Sequence, residues 1–458
     1  MSGTSLKSRT IRAGVWSSLI GFAGTALRFG SSLVMTRLLY PEAFGVFAIA
    51  STVLVILTLL SDVGLKQFIV FRPRGNERRY LDTIWSMSAL QGTLIAGIAA
   101  TVAAVVKIGQ VYGKFPADSV YAHPDLPLLV ALTAISSLIA GFKSPKLALL
   151  ERNLDLRRVA YIEVLSQLTG TLVTIGLAWL WRDVWSIVVG AWCAAAVSVL
   201  LSLFWLEGAR GRMRWDAEVA REVIFYGRWI LLSSATFVVA GNLDRLLLGV
   251  WVTPLLLGIY VLALNISSIV ESIITRPFGQ VAMPALSEVV RRGDGGLRKA
   301  YFKLRLPLDV VTLCAAGFFF AAAPTIIDIL YDKRYAEAGR TLQVLSFSLL
   351  FVRYGVTATA HVSLGEPRTA SISNVIKLCT VALAVPVGNA IGGYYGAVWA
   401  IALHMIPSTL YLMLKNRQRE LNDFLFEARS LLLWPIGFGA GWLFNMIAWP
   451  ILHKLGLR

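Results

Sequence analysis

A chain of 458 residues with 57% apolar side chains and a mean hydropathy of +0.68 has too little polar surface to cover a soluble globule. Its net charge of +17 would point to nucleic acid in a soluble protein, so the Lys and Arg residues must first be placed against a bilayer. Cys193, Cys314 and Cys379 each stand in an apolar run without metal-site spacing and read as small buried hydrophobes rather than a disulfide framework.

The polar, basic stretch Met1–Arg12 leads into an apolar run too long for a signal-peptide core and without an evident cleavage site, so it is expected to remain as the first span. A hydrocarbon core takes about 20 apolar residues per helix. Runs of that kind occupy 14–36, 43–63, 83–106, 126–143, 160–181 and 184–206. A second set covers 226–250, 255–276, 306–330, 341–362, 370–390 and 395–414, and one further span lies at 431–452. The expected domains are an N-terminal six-helix lobe (1–206), a cytoplasmic linker (207–225), a C-terminal six-helix lobe (226–414), and a cytoplasmic segment with an extra transmembrane helix (415–458).

With the N-terminus in the cytoplasm, the inward loops carry Arg72, Arg74, Arg78 and Arg79, then Lys143, Lys146, Arg152, Arg157 and Arg158, then Arg210, Arg212, Arg214 and Arg221. Later inward loops add Arg291, Arg292, Arg298, Lys299, Lys303 and Arg305, and finally Lys415, Arg417 and Arg419. This places about 30 of the 43 basic residues inside, the asymmetry that orients membrane helices. The excess charge is therefore topology beside anionic headgroups, and no nucleic-acid partner is expected. The longest outward loop, Lys107 to Asp125, is too small for an ordinary catalytic domain.

The second and eighth spans open alike. Pro41-Glu42-Ala43-Phe44-Gly45-Val46-Phe47-Ala48-Ile49-Ala50 aligns with Pro254-Leu255-Leu256-Leu257-Gly258-Ile259-Tyr260-Val261-Leu262-Ala263, and Glu151-Arg152 falls against Gly365-Glu366 at nearly the same spacing. Six spans per copy keep both copies in one orientation, the parallel-repeat arrangement of transporters. The fold expected is an all-α polytopic membrane protein: two six-helix lobes related by a parallel internal repeat around a central cavity, plus one extra C-terminal helix.

Charges inside the spans point to that cavity. Arg28 lies about 20 Å along the first span, deep for snorkelling, on a face with Gly21, Gly24, Ser31 and Met35. The fifth span carries Glu163, Gln167, Gly170 and Thr174, and the seventh Asp244 and Arg245 near its outer end. Asn265, Ser268, Glu271, Ser272 and Thr275 follow one flank of the eighth; Ser346, Arg353, Thr357 and His361 lie in the tenth, and Asn374 and Lys377 in the eleventh. A mid-span charge costs roughly 2.5 to 3.5 kcal/mol, so Arg28, Arg353 and Lys377 call for water, counter-ions or a ligand. One hydrated cavity between the lobes would serve all of them, and cationic walls suit an anionic substrate, because the fork of Arg fits phosphate.

The expected substrate-binding cations are therefore Arg28, Arg353, Lys377 and Arg245. The expected coupling or polar cavity groups are Glu163, Gln167, Asp244, Glu271, Asn265 and Asn374. Glu163 and Glu271 have an alternative as private partners of an Arg that fix helix packing, and Asp244-Arg245 as an interfacial pair capping its span. His361 reads as locally hydrogen-bonded. Gly388, Gly392 and Gly396, and Gly437 with Gly441, have the spacing that lets helices approach closely within one chain, while Pro386 and Pro407 should kink their spans.

No Gly-x-x-x-x-Gly-Lys-Ser/Thr loop, His-Glu-x-x-His helix or Asp-x-Asp pair is present, so ATP hydrolysis and metal-dependent chemistry have no visible seat and neither enzyme activity nor a cofactor is expected. Thr36-Arg37-Leu38-Leu39-Tyr40-Pro41-Glu42-Ala43-Phe44-Gly45 with Asp62-Val63-Gly64-Leu65, Asn242-Leu243-Asp244-Arg245-Leu246 followed by Gly258-Ile259-Tyr260, and Pro284-Ala285-Leu286-Ser287 carry a family likeness. So do Ile329-Leu330-Tyr331 through Tyr335-Ala336, Ala338 and Leu342. The chain resembles the polysaccharide (oligosaccharide) flippases of the multidrug/oligosaccharidyl-lipid/polysaccharide exporter superfamily.

That resemblance implies a two-lobed transporter that moves an undecaprenyl-diphosphate-linked oligosaccharide across the bacterial inner membrane for cell-surface polysaccharide such as lipopolysaccharide or exopolysaccharide. It implies membrane lipids, a glycan polymerase and export machinery as partners. The family commonly has an even helix count, from which a thirteenth span departs. The rival readings are a drug or cation exporter of the same superfamily, which calls for an acidic cavity, and a polytopic glycan polymerase or glycosyltransferase, which calls for a large outward loop or an acidic metal site.

Overall fold

The computed structural model describes residues 6–72, 74–153, 155–206, 211–292 and 296–454. Arg210, with the rest of 207–210 in the expected linker, and the ends of the chain lie outside the described residues. The chain forms two compact units, Met1–Val238 and Val239–Arg458. Among the described residues every regular element is helical.

Unit 1 begins with α1 (Leu6–Leu38), α2 (Pro41–Leu60), α3 (Leu65–Phe71) and α4 (Arg78–Val111). Pro41 stands in the first turn of α2 behind an extended Tyr40, where its fixed φ is pre-set and its missing N–H costs nothing; Glu42 in the same turn suits the helix dipole. After Ser61 the chain reverses through Gly64, whose φ of 68° favours glycine, and Asp62 Oδ1 accepts the Gly64 N–H at 2.8 Å. α4 is 34 residues long, about 50 Å, so both ends stand clear of a hydrocarbon core of about 30 Å. A broken pass of α5 (Leu126–Thr133) and α6 (Ile135–Ala140) follows, then the short α7 (Lys146–Arg152), α8 (Leu156–Trp181) and α9 (Trp185–Leu200). α10 (Ala217–Trp251) contains the division between the units. Leu65, Phe68, Ile69, Ile84, Ala148 and Val223 form a core that locks α3 and α7 to the starts of α4 and α10.

Unit 2 continues with α11 (Pro254–Arg292), which repeats the opening proline of α2, and α12 (Leu297–Leu330). α11 runs well past the expected span 255–276, through Pro277 and Pro284. Its extension is covered by a core of Ile274, Leu286, Tyr301, Leu308, Val356 and Leu421, and that packing outweighs the two lost backbone hydrogen bonds. The tenth expected run is split into α13 (Glu337–Leu345), α14 (Leu349–Val352) and α15 (Gly355–Ser363).

Next come α16 (Pro367–Leu403), α17 (Ile406–Gln418), α18 (Phe424–Leu431) and α19 (Leu433–Lys454). α16 is two passes, not one. Helical geometry breaks at Gly392 and Gly393, the latter at φ 57°, and a Cβ on Gly396 would lie 2.1 Å from the Gly388 carbonyl oxygen, so the two arms touch backbone to backbone. Pro386 lies inside α16, while Pro407 stands in the first turn of α17 and starts that helix instead of kinking it. The extra helix α19 packs on α12 just as closely: a Cβ on Gly437 would sit 2.1 Å from the Cys314 oxygen. Both glycine sets thus serve packing within the chain.

Among the described residues nine helical stretches are long and apolar enough to cross a membrane, one of them the double pass Pro367–Gln418. The shorter Leu126–Ala140, α1 and α10 take the remaining expected runs, so all thirteen fall on helix. Large apolar side chains such as Ile391 and Leu383 are exposed, as lipid-facing positions require, and Cys379 is exposed rather than buried on the same helix.

Candidate functional site

Unit 1 holds a cavity of about 340 Å³ where α3, α4, α7 and α8 meet, apolar over much of its wall and set with several charged side chains. Lys66 enters it from the first turn of α3, Lys143 from the link between α6 and α7, Glu151 from α7 and Glu163 from α8; Asp62 and Gln91 complete its polar wall. Lys66 pairs with Glu151 at 2.8 Å. Lys143 is half-buried and shares this wall with Glu163. Among the described residues the cations that share the cavity with Glu163 are Lys66 and Lys143. Lys143, which charge counting had read as an anchor, is the group that sequence reasoning missed here; its only signal was a lysine at the very end of an apolar run.

Next to this cavity α8 meets α1: Gln167 Nε2 donates to the Gly24 carbonyl oxygen at 3.2 Å. Arg28, one turn beyond Gly24, is exposed, and among the described residues no carboxylate comes within ion-pair distance of its guanidinium. It is a charged side chain well inside a long helix, ten residues before its end.

Arg353 is the opposite case. Its side chain is 5% exposed, with NH1 3.3 Å from Asp309 Oδ2 and NH2 3.3 Å from Glu427 Oε2, and it also donates to Ser430 Oγ at 2.8 Å. Arg305 closes the ring, with Nε 3.4 Å from Asp309 Oδ1 and NH2 2.6 Å from Glu427 Oε1. Both guanidinium groups lie over the Tyr354 ring, at 4.5 and 5.0 Å. Two cations and two carboxylates thus balance inside unit 2, and the Arg353 charge is spent within the bundle instead of being offered to a cavity.

The ring continues outward. Tyr301 OH accepts from Arg305 NH1 at 2.9 Å and from Asn416 Nδ2 at 3.2 Å, and His361 bridges Asn416 Oδ1 at 3.1 Å and Glu366 Oε2 at 2.9 Å. His361 is locally hydrogen-bonded, as its sequence context suggested. The i,i+4 spacing of Arg305 and Asp309 was the available signal for the ring; Glu427 had none.

A second polar group in unit 2 gathers several expected residues. Asp244 is buried and accepts the Tyr260 hydroxyl of α11, while Arg245 NH1 donates to Asn242 Oδ1 at 3.3 Å. Glu271 on α11 and Lys377 on α16 are half-buried, and His404 Nδ1 lies 2.6 Å from the Ile401 carbonyl oxygen. Asn265 and Asn374 are exposed on α11 and α16. Among the described residues no three His, Cys, Asp or Glu side chains are placed to hold a metal.

Comparison with known proteins places this arrangement. Residues 34–340 match the family model described as polysaccharide biosynthesis protein. The chain is 21% identical to the lipopolysaccharide biosynthesis protein WzxC of Escherichia coli (strain K12) over 421 residues, 90% of this chain and 82% of that one. It is 21% identical to the succinoglycan biosynthesis transport protein ExoT of Rhizobium meliloti (strain 1021) over 355 residues, 75% of this chain and 67% of the relative. Among solved structures, the lipid II flippase MurJ in an inward closed conformation matches with a TM-score of 0.65 at 13% identity, covering 98% of this chain and 100% of that chain. An inward-facing multidrug resistance MATE family transporter of the MOP superfamily matches with a TM-score of 0.61 at 15% identity, covering 86% and 94%. With more than half of its length matched by the family model and the fold of the MOP superfamily, the chain belongs to the polysaccharide biosynthesis protein family of multi-pass membrane proteins.

Proposed function

We propose that this chain flips a lipid-diphosphate-linked oligosaccharide from the inner to the outer leaflet of a bacterial inner membrane, by alternating access of the lobes 1–206 and 226–414 joined by 207–225. The N-terminus and the basic loops face the cytoplasm, and the flipped unit passes to the glycan polymerase and export machinery. The family and the names of two relatives, one of lipopolysaccharide and one of succinoglycan biosynthesis, support the substrate class. The observation that carries the physical side is Arg28. A guanidinium inside α1 that has no carboxylate in reach among the described residues keeps its donors for an anion that comes and goes, and a diphosphate fits its fork. Lys377 and Arg245 are the further cations of this reading, with Gln167, Asp244, Glu271, Asn265 and Asn374 as its polar groups; Arg353 serves by holding the bundle.

The test is Arg28→Ala in a deletion strain, read by surface glycan and by lipid-linked glycan left facing inward. Export falls roughly ten- to a hundredfold at normal protein level, the worth of one charge-assisted contact, while Arg28→Lys recovers part of it. Undiminished export by the Ala variant removes Arg28 from the mechanism.

A further inference from the structure

Charge counting made Arg212 and Arg214 plain cytoplasmic anchors, yet in unit 1 they close a pocket. It measures about 490 Å³ and lies between the first turn of α4 and the segment 211–216, with Arg78, Arg79, Asp82, Arg212, Arg214 and Trp215 in its wall. Arg79 is committed to Asp216 and Glu218. Asp82 is 6% exposed, accepts the Arg212 backbone N–H at 2.9 Å and lies 3.8 Å from Arg78 Nε. Among the described residues no carboxylate comes within ion-pair distance of the Arg212 or Arg214 guanidinium, so the pocket carries a positive excess.

Three observations say what would fill it. Arg78 and Arg79 stand in the first turn of α4, where the helix dipole favours negative charge, and the N-cap Glu77 makes no side-chain cap; an anion in the pocket answers both the dipole and the guanidinium forks. The pocket also borders the long apolar stretch of α4. From Thr83 to Val106 α4 has no charged residue, and Trp215, 55% exposed, is of the type that concentrates at membrane–water boundaries. Finally, an adjoining hollow of about 390 Å³ shares Arg78 and Asp82, adds Lys146 and Arg158, and has an apolar wall of Leu81, Leu149 and Leu150. A charged basin beside a hollow with one apolar wall suits a molecule with a charged head and an oily stem.

We propose that this pocket binds the phosphate of a lipid, with the first part of the stem over Leu81, Leu149 and Leu150. A bulk anionic phospholipid and a lipid diphosphate both present that chemistry. The site stands apart from Arg28 and does not depend on the transport reading.

The full-length chain, placed in phosphatidylcholine nanodiscs doped with either phosphatidylglycerol or undecaprenyl diphosphate, is assayed by native mass spectrometry for the lipid it retains. Arg212→Gln with Arg214→Gln, on an exposed segment, lowers retention about tenfold, and added salt weakens wild-type retention. Arg291→Gln with Arg292→Gln, an equally basic pair in unit 2, leaves it unchanged. A loss confined to phosphatidylglycerol identifies the bulk lipid, and a loss confined to undecaprenyl diphosphate identifies the lipid diphosphate. If the double variant melts early, Arg214→Gln alone gives the same readout at severalfold loss. Unchanged retention of both lipids in a variant with a wild-type melt overturns the proposal. So does displacement of either lipid by an equal concentration of inorganic pyrophosphate, which would make this a site for soluble anions.

Discussion

The two units solve the same problem, charge inside a membrane bundle, in opposite ways. In unit 2, Arg305, Asp309, Arg353 and Glu427 are sealed, with side-chain exposures of 1%, 0%, 5% and 14%, and each cation touches both carboxylates. In unit 1, Lys66, Lys143, Glu151 and Glu163 surround open volume, and Lys66 and Glu151 remain 61% and 21% exposed. Taking an ion out of water costs several kcal/mol, which only full mutual pairing offsets. A closed ring therefore reports on what must stay together. An open set keeps water and can exchange its partners, so it reports on what can move or bind.

The largest effect follows from opening the ring. Glu427→Ala leaves two buried guanidinium groups facing one carboxylate and should cost about 3–5 kcal/mol. Because Glu427 sits on α18, the loss should first loosen α18 and α19 from α12, read as a lower melting temperature and faster hydrogen exchange over Phe424–Lys454. Glu427→Gln keeps the shape and some hydrogen bonds and should fall between. A wild-type melt for Glu427→Ala would show that the ring is dispensable and break the contrast between the units.

The middle effect lies on function. Lys143→Met in unit 1 removes the amine opposite Glu163 but opens no sealed network, so the melt should shift far less than for Glu427→Ala. Export per folded molecule should fall about tenfold if the cavity is on the transport path. Equal damage to the melt from both variants, with normal export from Lys143→Met, would make the cavity a structural feature like the ring.

How much of this could be read from the chain alone differs between helices and sites. Apolar runs placed the helices because burial in lipid demands them, and the paired openings at Pro41 and Pro254 both start helices. The length of α11 was not legible, since Arg276 and Pro277 looked like a boundary and only the core around Leu286 and Tyr301 shows why the helix continues. Arg28 could be singled out because its depth is a property of one helix. The fate of Arg353 could not, because its partners Asp309 and Glu427 come from helices far apart in sequence, and Glu427 lies in a stretch read as cytoplasmic. For the same reason Lys143 and Glu163 were each visible as charges while their place in one cavity was not. Periodicity reports on one element at a time, and a charge's role is set by the elements it meets.

The smallest effect comes from an ion pair that is neither sealed nor around a cavity. Asp216 precedes α10 on the exposed face of unit 1 and is held by Arg79 and by the backbone N–H groups of Glu218 and Val219. Its carboxyl drops from 3.8 to about 2, chiefly through the Arg79 hydrogen bond. A depressed carboxylate contributes stability that is present above its unfolded pKa and is lost as the pH falls through the folded one. The contribution of Asp216 should therefore fade between about pH 4 and pH 2. Because Arg79 and Asp216 are 52% and 28% exposed, solvent screening keeps the contribution small, and salt should flatten it further. The acid limb of a melting-temperature titration should be slightly shallower for Asp216→Asn than for the wild type, and the two should coincide near pH 2. A steep difference there would mean that the outer pair is coupled to the core of α3, α4 and α10 as strongly as the sealed ring is to unit 2, and that exposure alone does not rank the charges of this protein.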